Sequence, residues 1–512
     1  MEAQRGRIGF LSLRPVAALA AADWGLAVGA YAAALLVRAL IVHAHPYTAE
    51  AAHFVLARDL WATNPAVAGL DGTHPEWGWL FWQRPLFSLL LWPGAAVSFT
   101  GYRVLHVLVA SLLPALGALL LRHLGVPRWL AGGAAAVAIL HPLFVPWNVL
   151  VLPDSLMAVL FLGALLAAER GHPLASALLC LAACWTKEVA AVGAIALLAL
   201  GLWREPDGVR ARLYPLAIGR WSTLYLATLL LAFAPLAYSL GLPWARFPGW
   251  GVGGDGNVVL ERVFVVLWLA PVPLLGLLDA RTRRLAVVAL AWSGFFVAYH
   301  FVLGKAVEAW YYVTPATLVL LATAAGLAAL WRRAGPGRSR LLPAGATLLV
   351  AALMALQVAV PDNVAAKQAI VAPLSGQGQW DLEQALAYES GREQGLYDAM
   401  AGAPGNPHGT WVTVDTDWSF WAYPMAARTG NVVAYFTGGV KPLDRDADAL
   451  AAAIGSADAT ILHKLDTPAN VAIRAAYQEC TPVTSGDYVL ILGRGCPPGA
   501  PRLHAAADAA GR

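Results

Sequence analysis

The sequence predicts a polytopic α-helical membrane protein: about eleven transmembrane helices, then an extracytoplasmic α/β domain. Three observations predict it. Of 512 residues, 59% are hydrophobic and only 13% charged, where a soluble globular chain carries about a quarter charged. Mean hydropathy is +0.60, and apolar runs long enough to cross a bilayer recur through the first 360 residues. The arginines fall in clusters between alternate runs, as the positive-inside pattern requires. A formal charge of +4 is too small to argue for nucleic acid.

The predicted spans are 22–42, 103–121, 129–147, 155–169, 172–186, 189–203, 221–241, 260–278, 285–303, 311–331 and 341–360. The start of the chain reads as leading directly into the first span rather than as a cleavable signal. Arg5, Arg7 and Arg14 precede that span, and further arginines lie at 122/128, 170, 204–220, 281–284 and 332–340. With a cytoplasmic N-terminus all 17 of these arginines are inside. Only five basic residues are lysines, among them Lys187 and Lys305.

The segment 172–203 admits two readings. As one helix it would be about 48 Å long at 1.5 Å per residue, and it would carry Arg204, Arg210, Arg212 and Arg220 to the outside. As a hairpin, each arm spans about 22 Å, short of the ~30 Å hydrocarbon core. The arginines favour the hairpin, with Lys187 and Glu188 at a tip sunk below the outer surface.

Two segments outside the membrane are long. The first outer loop, 43–102, exceeds any plain connector and reads as functional. Within it AEAAHFVLARDLW reads as an interfacial amphipathic helix, and RPLFSLLLWPGAAV (84–97) as a re-entrant or interfacial helix, too short and Pro-interrupted to span. Residues 1–360 form the membrane domain and 361–512 the α/β domain, with strands at TWVTV, ATILH and DYVLIL and a helix at DADALAAAIG. Cys180 and Cys184 read as small buried hydrophobes. Cys480 and Cys496 are either free or, outside the cytoplasm, a disulfide.

Ionisable residues near membrane spans default to functional hypotheses, and here they gather on the outer side. Glu50, Arg58, Asp59, Asp71, His74, Glu76 and Arg84 lie in the first loop; Asp154 begins the fourth span; Lys187 and Glu188 form the hairpin tip; Lys305 and Glu308 precede Trp310-Tyr311-Tyr312. No P-loop, GxGxxG, HExxH or CxxC motif accompanies them. Carboxylates can take a hydroxyl proton or hold a divalent metal, and Lys and Arg can hold a phosphate. Plain structural readings stand beside each: Glu50 as a solvated interfacial charge, Asp154 as a helix-start residue, Lys187 and Glu188 as a mutual pair. Lys305 and Glu308 read as an i,i+3 pair, and Arg38 as a side chain snorkelling outward from the first span.

These residues lie in segments that resemble GT-C glycosyltransferases, such as protein O-mannosyltransferases and aminoarabinose transferases. HPYTAEAAHFVLARDL resembles their first-loop acidic motif, RPLF their (R/K)PPLY stretch, ACWTKEVA their LtKe segment, and WYYVTPATLVLLA their RYxxPxxP helix. The four occur in order across residues 20–330. The chain departs from the pattern where Ala49-Glu50 replaces an Asp-Glu pair and where Trp310-Tyr311-Tyr312 lacks the Arg.

The resemblance implies transfer of a sugar from a polyprenyl-phosphate donor to a hydroxyl of a glycan, lipid or protein acceptor, with inversion, at the outer face of a prokaryotic plasma membrane. It implies Glu50 as catalytic acid/base, Asp154 as a second acid, and Lys187, Arg84 and Lys305 as ligands of the donor phosphate. A divalent metal ion is left open. The alternatives are a transporter or lipid flippase, whose midplane polar groups and inverted repeats are not evident here, and a non-catalytic scaffold.

Overall fold

The computed structural model describes residues 20–40, 42, 53, 57, 84–141, 144–145, 148–204, 210–213, 216–241, 272–301, 313–334, 340–359 and five C-terminal strands. The helices are α1 Ala21–Ala39, α2 Pro85–Ala95, α3 Phe99–Ala110, α4 Leu112–His123, α5 Arg128–Leu140, α6 Pro153–Glu169, α7 Pro173–Thr186, α8 Ala191–Arg204, α9 Arg220–Gly241, α10 Pro273–Gly276, α11 Arg283–Phe301, α12 Val313–Ala334 and α13 Leu341–Ala359. Of the predicted span 260–278, only the end is described. Two stretches, Thr100–His123 and Val313–Ala334, are long and apolar enough to cross a membrane on their own. The outward faces carry exposed Trp24, Leu36, Leu178, Ile195, Leu230 and Leu348. Such a surface suits hydrocarbon rather than water. The core is filled by small and branched residues, and every residue of α12 from Val313 to Ala329 is buried.

Hydrogen bonds decide between the two readings of 172–203. The Ser176 hydroxyl donates to the Ala164 carbonyl at 2.7 Å, which sets α7 antiparallel to α6. Thr228 donates to the Ala177 carbonyl (3.2 Å) and Trp185 to the Leu231 carbonyl (3.2 Å). These pairings rise together in sequence, so α7 and α9 run parallel. A continuous 172–203 helix would make α9 antiparallel to α7. The chain therefore turns back at Lys187. Between α8 and α9 lies a feature the sequence did not signal, a hairpin of β1 Arg210–Leu213 and β2 Leu216–Gly219.

The predicted inner arginines converge on one end of the bundle. Asp23 accepts from Arg122 Nε at 2.7 Å and Arg128 Nε at 2.9 Å, tying α1 to α4 and α5. Arg284 pairs with Glu169 at 3.1 Å, and Arg332 with Asp279. Burial alone would raise the Asp279 carboxyl, but the Arg281 amide and the Arg332 guanidinium hold it below the usual carboxylate value. That pair is intact at neutral pH and is lost as pH falls through the depressed value. Arg38 departs from expectation: it is 2% exposed and donates to Ser111 Oγ at 3.1 Å, so it points into the bundle rather than snorkelling.

At the C-terminal end, five strands form a mixed sheet in the order β4-β3-β5-β7-β6. They are β3 Thr410–Asp415, β4 Val432–Thr437, β5 Ala459–His463, β6 Val483–Ser485 and β7 Val489–Gly493. β3 is parallel to both β4 and β5, with Trp411 opposite Val433 and Ala459. β7 is antiparallel to β5 and β6. The strands read from TWVTV, ATILH and DYVLIL are β3, β5 and β7; β4 and β6 were not anticipated. The helix expected at 446–455 and the pair Cys480 and Cys496 lie outside the described residues, whereas Cys180 and Cys184 are free and buried as expected.

Two glycines let α2 fold back on α3. A Cβ on Gly94 would sit 2.5 Å from the Gly101 carbonyl oxygen, and one on Gly101 would sit 2.8 Å from the Gly94 oxygen. Because the obstacle is backbone, side-chain repacking cannot relieve it. Gly94→Ala should therefore destabilise the protein by about 1–3 kcal/mol, read as a lower melting temperature in detergent. An unchanged melt would show that α2 does not pack this closely.

Candidate functional site

At the end of the bundle opposite the arginine pairs, two sequence features place a cation against an acid. Leu152 is extended (φ −119, ψ 149), Pro153 opens α6, and Asp154 stands in its first turn. A carboxylate there is favoured by the partial positive charge of a helix N-terminus. Thr314 at the start of α12 donates to the Asp154 carbonyl at 3.5 Å, which fixes where α6 begins.

The second feature is the break after α7. The Thr186 hydroxyl donates back to the Ala182 carbonyl at 2.8 Å. Lys187 then swings to an extended conformation (φ −158, ψ 127) before a 3-10 turn, Glu188–Ala190. The turn is closed by the Ala190 amide on the Lys187 carbonyl at 3.1 Å. Freed from the helix, Lys187 directs Nζ to both Asp154 oxygens, at 2.7 and 2.8 Å. Both residues are 1% exposed.

Glu188, whose plain structural reading was a pair with Lys187, lies by Arg84, with 3.8 Å between Oε2 and Nε. Arg84 precedes α2, is buried, and donates to His53 Nε2 at 3.4 Å. Accepting from a guanidinium requires the unprotonated nitrogen of a His53 ring. That ring also meets Phe87 edge-on, with centroids 5.0 Å apart. The contact of His53 with Arg84, 31 positions away, has no local sequence signal.

The structure thus brings together three of the predicted site residues, Asp154, Lys187 and Arg84, and adds Glu188 and His53. Glu50 and Lys305 lie outside the described residues. The four charged groups form two pairs, Asp154 with Lys187 and Arg84 with Glu188, so the cluster is neutral as a whole. Asp154 directs both oxygens to Lys187 Nζ. Among the described residues no three His, Cys, Asp or Glu side chains come together as metal ligands.

No family model and no curated protein matches the chain. The fold itself has solved counterparts. It is similar to two crystal structures of ArnT from Cupriavidus metallidurans, one in the apo state and one bound to undecaprenyl phosphate. Against the apo structure the TM-score is 0.52 at 15% identity, covering 95% of this chain and 99% of that one. Against the undecaprenyl phosphate complex the TM-score is 0.52 at 15% identity, covering 94% and 100%.

A buried ion pair is weak evidence for net stability, but removing one partner strands the other charge. Lys187→Met alone should cost about 3–5 kcal/mol. Adding Asp154→Leu should recover much of that loss, read by thermal melts of both variants. If the double variant is no more stable than the single one, the two groups are not a coupled pair.

Proposed function

We propose that this chain is an integral membrane glycosyltransferase. It moves a sugar from a polyprenyl-phosphate donor to an acceptor hydroxyl, with inversion, at the end of the bundle that carries Asp154 and Lys187. The observation that carries the reading is the fold match over nearly the whole of an ArnT chain bound to undecaprenyl phosphate. The buried Arg84–Lys187 cluster supports it from this chain's own side.

In this reading the donor phosphate takes its positive charge from Arg84 and Lys187, with Lys305 as a third cation. Asp154 holds Lys187 in place. Glu50 accepts the proton of the acceptor hydroxyl as its oxygen attacks the anomeric carbon from the face opposite the phosphate. The carbon–oxygen bond to phosphate breaks, and the electron pair leaves with the polyprenyl phosphate. Fixed cations at the departing oxygen act in a dry site without reorganising, and such electrostatic stabilisation is usually the largest contribution to rate. The strand-containing C-terminal part, with the Asp415-x-Asp417 run, is an extracytoplasmic accessory unit in this reading.

The decisive experiment incubates purified protein with a panel of radiolabelled polyprenyl-phosphate sugars and measures released polyprenyl phosphate. Release from none of them, by well-folded protein supplied with glycan, lipid and peptide acceptors, would sink the reading. Glu50→Gln keeps shape but removes basicity and should lower turnover by about 10²–10⁴-fold at saturating donor. Near-full turnover in that variant would move the base elsewhere. A reporter fused after Arg512 should be active outside the cytoplasm, as the inner arginines require; activity inside would reverse the orientation.

A further inference from the structure

The two charge pairs at the Arg84–Lys187 cluster are built differently. Lys187 Nζ meets both Asp154 oxygens at 2.7 and 2.8 Å, and both side chains are sealed. Arg84 and Glu188 stand 3.8 Å apart, beyond hydrogen-bond reach. Arg84 Nε and Glu188 Oε2 are buried atoms, and neither has a hydrogen-bond partner. Yet the Glu188 side chain as a whole is 33% exposed, against 8% for Arg84. The open side of this pair is the Glu188 side.

The backbone sorts the two residues in the same way. Arg84 immediately precedes α2, which packs on α7, and its Nη1 is engaged by His53. Glu188 opens a three-residue 3-10 turn where α7 breaks. An ion pair without a hydrogen bond keeps its Coulomb attraction but leaves a buried donor and a buried acceptor unsatisfied, at a cost for each. A phosphate oxygen at hydrogen-bond distance from Nε would remove that cost and bring more charge, and arginine matches phosphate geometry. A displaced Glu188 carboxylate would regain hydration through its open side. The exchange asks nothing of the Asp154–Lys187 contact.

We infer that Glu188 is a displaceable stand-in for the donor phosphate, neutralising Arg84 between turnovers and yielding it when the phosphate arrives. The inference rests on the reading of Arg84 as a ligand of a polyprenyl-phosphate donor. Glu188 is then a built-in competitor that sets how tightly the phosphate is held, and not a ligand of it.

The test titrates full-length protein in mixed micelles with radiolabelled decaprenyl phosphate and compares wild type with two variants. Glu188→Gln keeps the shape and removes the competing charge. It should bind about five-fold more tightly, the upper range for a partly exposed ion pair given up on binding. Glu188→Asp keeps a charge in the cluster but draws it back from Arg84, so it too should bind more tightly than wild type. Decaprenyl phosphate should also raise the melting temperature of Glu188→Gln more than that of wild type. If Glu188→Gln does not fold, Glu188→Asp carries the comparison. Unchanged or weaker affinity in Glu188→Asp would overturn the inference and leave the donor reading standing, because tightening confined to Glu188→Gln would mean general repulsion. Binding by the variants but not by wild type would support it. Binding by none of the three would overturn the donor reading and the inference together.

Discussion

The buried contact between Lys187 and Asp154 is the constraint around which one end of this bundle is arranged. Lys187 can reach Asp154 only because the chain leaves helical geometry at that residue, and it is the same departure that turns 172–203 into a hairpin. Were the helix continuous, Lys187 would sit on a helix face and α9 would start on the wrong side to run parallel to α7. The hydrogen bonds from Thr228 and Trp185 depend on that direction. One buried charge pair is thus coupled to the path of three helices. Its desolvation cost is real, and a chain that needed only stability would do as well with two leucines. A retained pair of this kind holds a cation at a fixed place in a dry environment.

The opposite end is built by a different electrostatic rule. There, acids are outnumbered, and each is shared or flanked by arginines: Asp23 serves Arg122 and Arg128, and Asp279 serves Arg332. The surplus of positive charge lies where helices α1, α5, α7, α9, α11 and α13 begin and α4, α6, α8 and α12 end. The alternating chain direction gathers that surplus at a single end. These pairs also staple helices distant in sequence, such as α1 to α4 across 99 positions. Partly exposed pairs contribute little singly; shared ones also align helix ends.

Much of this was legible because hydropathy and arginine placement act locally. The helix breaks, the hairpin at 187, the short Pro-interrupted α2 and three of five C-terminal strands all follow from patterns in the sequence. What was not legible depends on partners far apart in the chain. Nothing near Lys187 points to Asp154, 33 positions earlier, so the adjacent Glu188 was its natural expected partner. Arg38 looked like a snorkelling residue because its position near the end of a span is visible, whereas the inward face of α1 is set by Ser111 on another helix. The His53–Arg84 contact is hidden for the same reason. β4 was missed although VVAYFT has strong strand formers, because it carries an all-apolar pattern that short windows do not separate from helix.

At the Arg84–Lys187 site each positive charge already has a protein acid, so an incoming anion must compete with Asp154 or Glu188. In the glycosyltransferase reading that competition would ease release of the leaving group, since one held too tightly would slow the next cycle. Glu188 is the exchangeable partner of the two: its side chain is 33% exposed and stands 3.8 Å from Arg84, whereas Asp154 is sealed in with both oxygens engaged. An anion entering the cluster would therefore displace Glu188 from Arg84 first and leave the Asp154–Lys187 anchor intact.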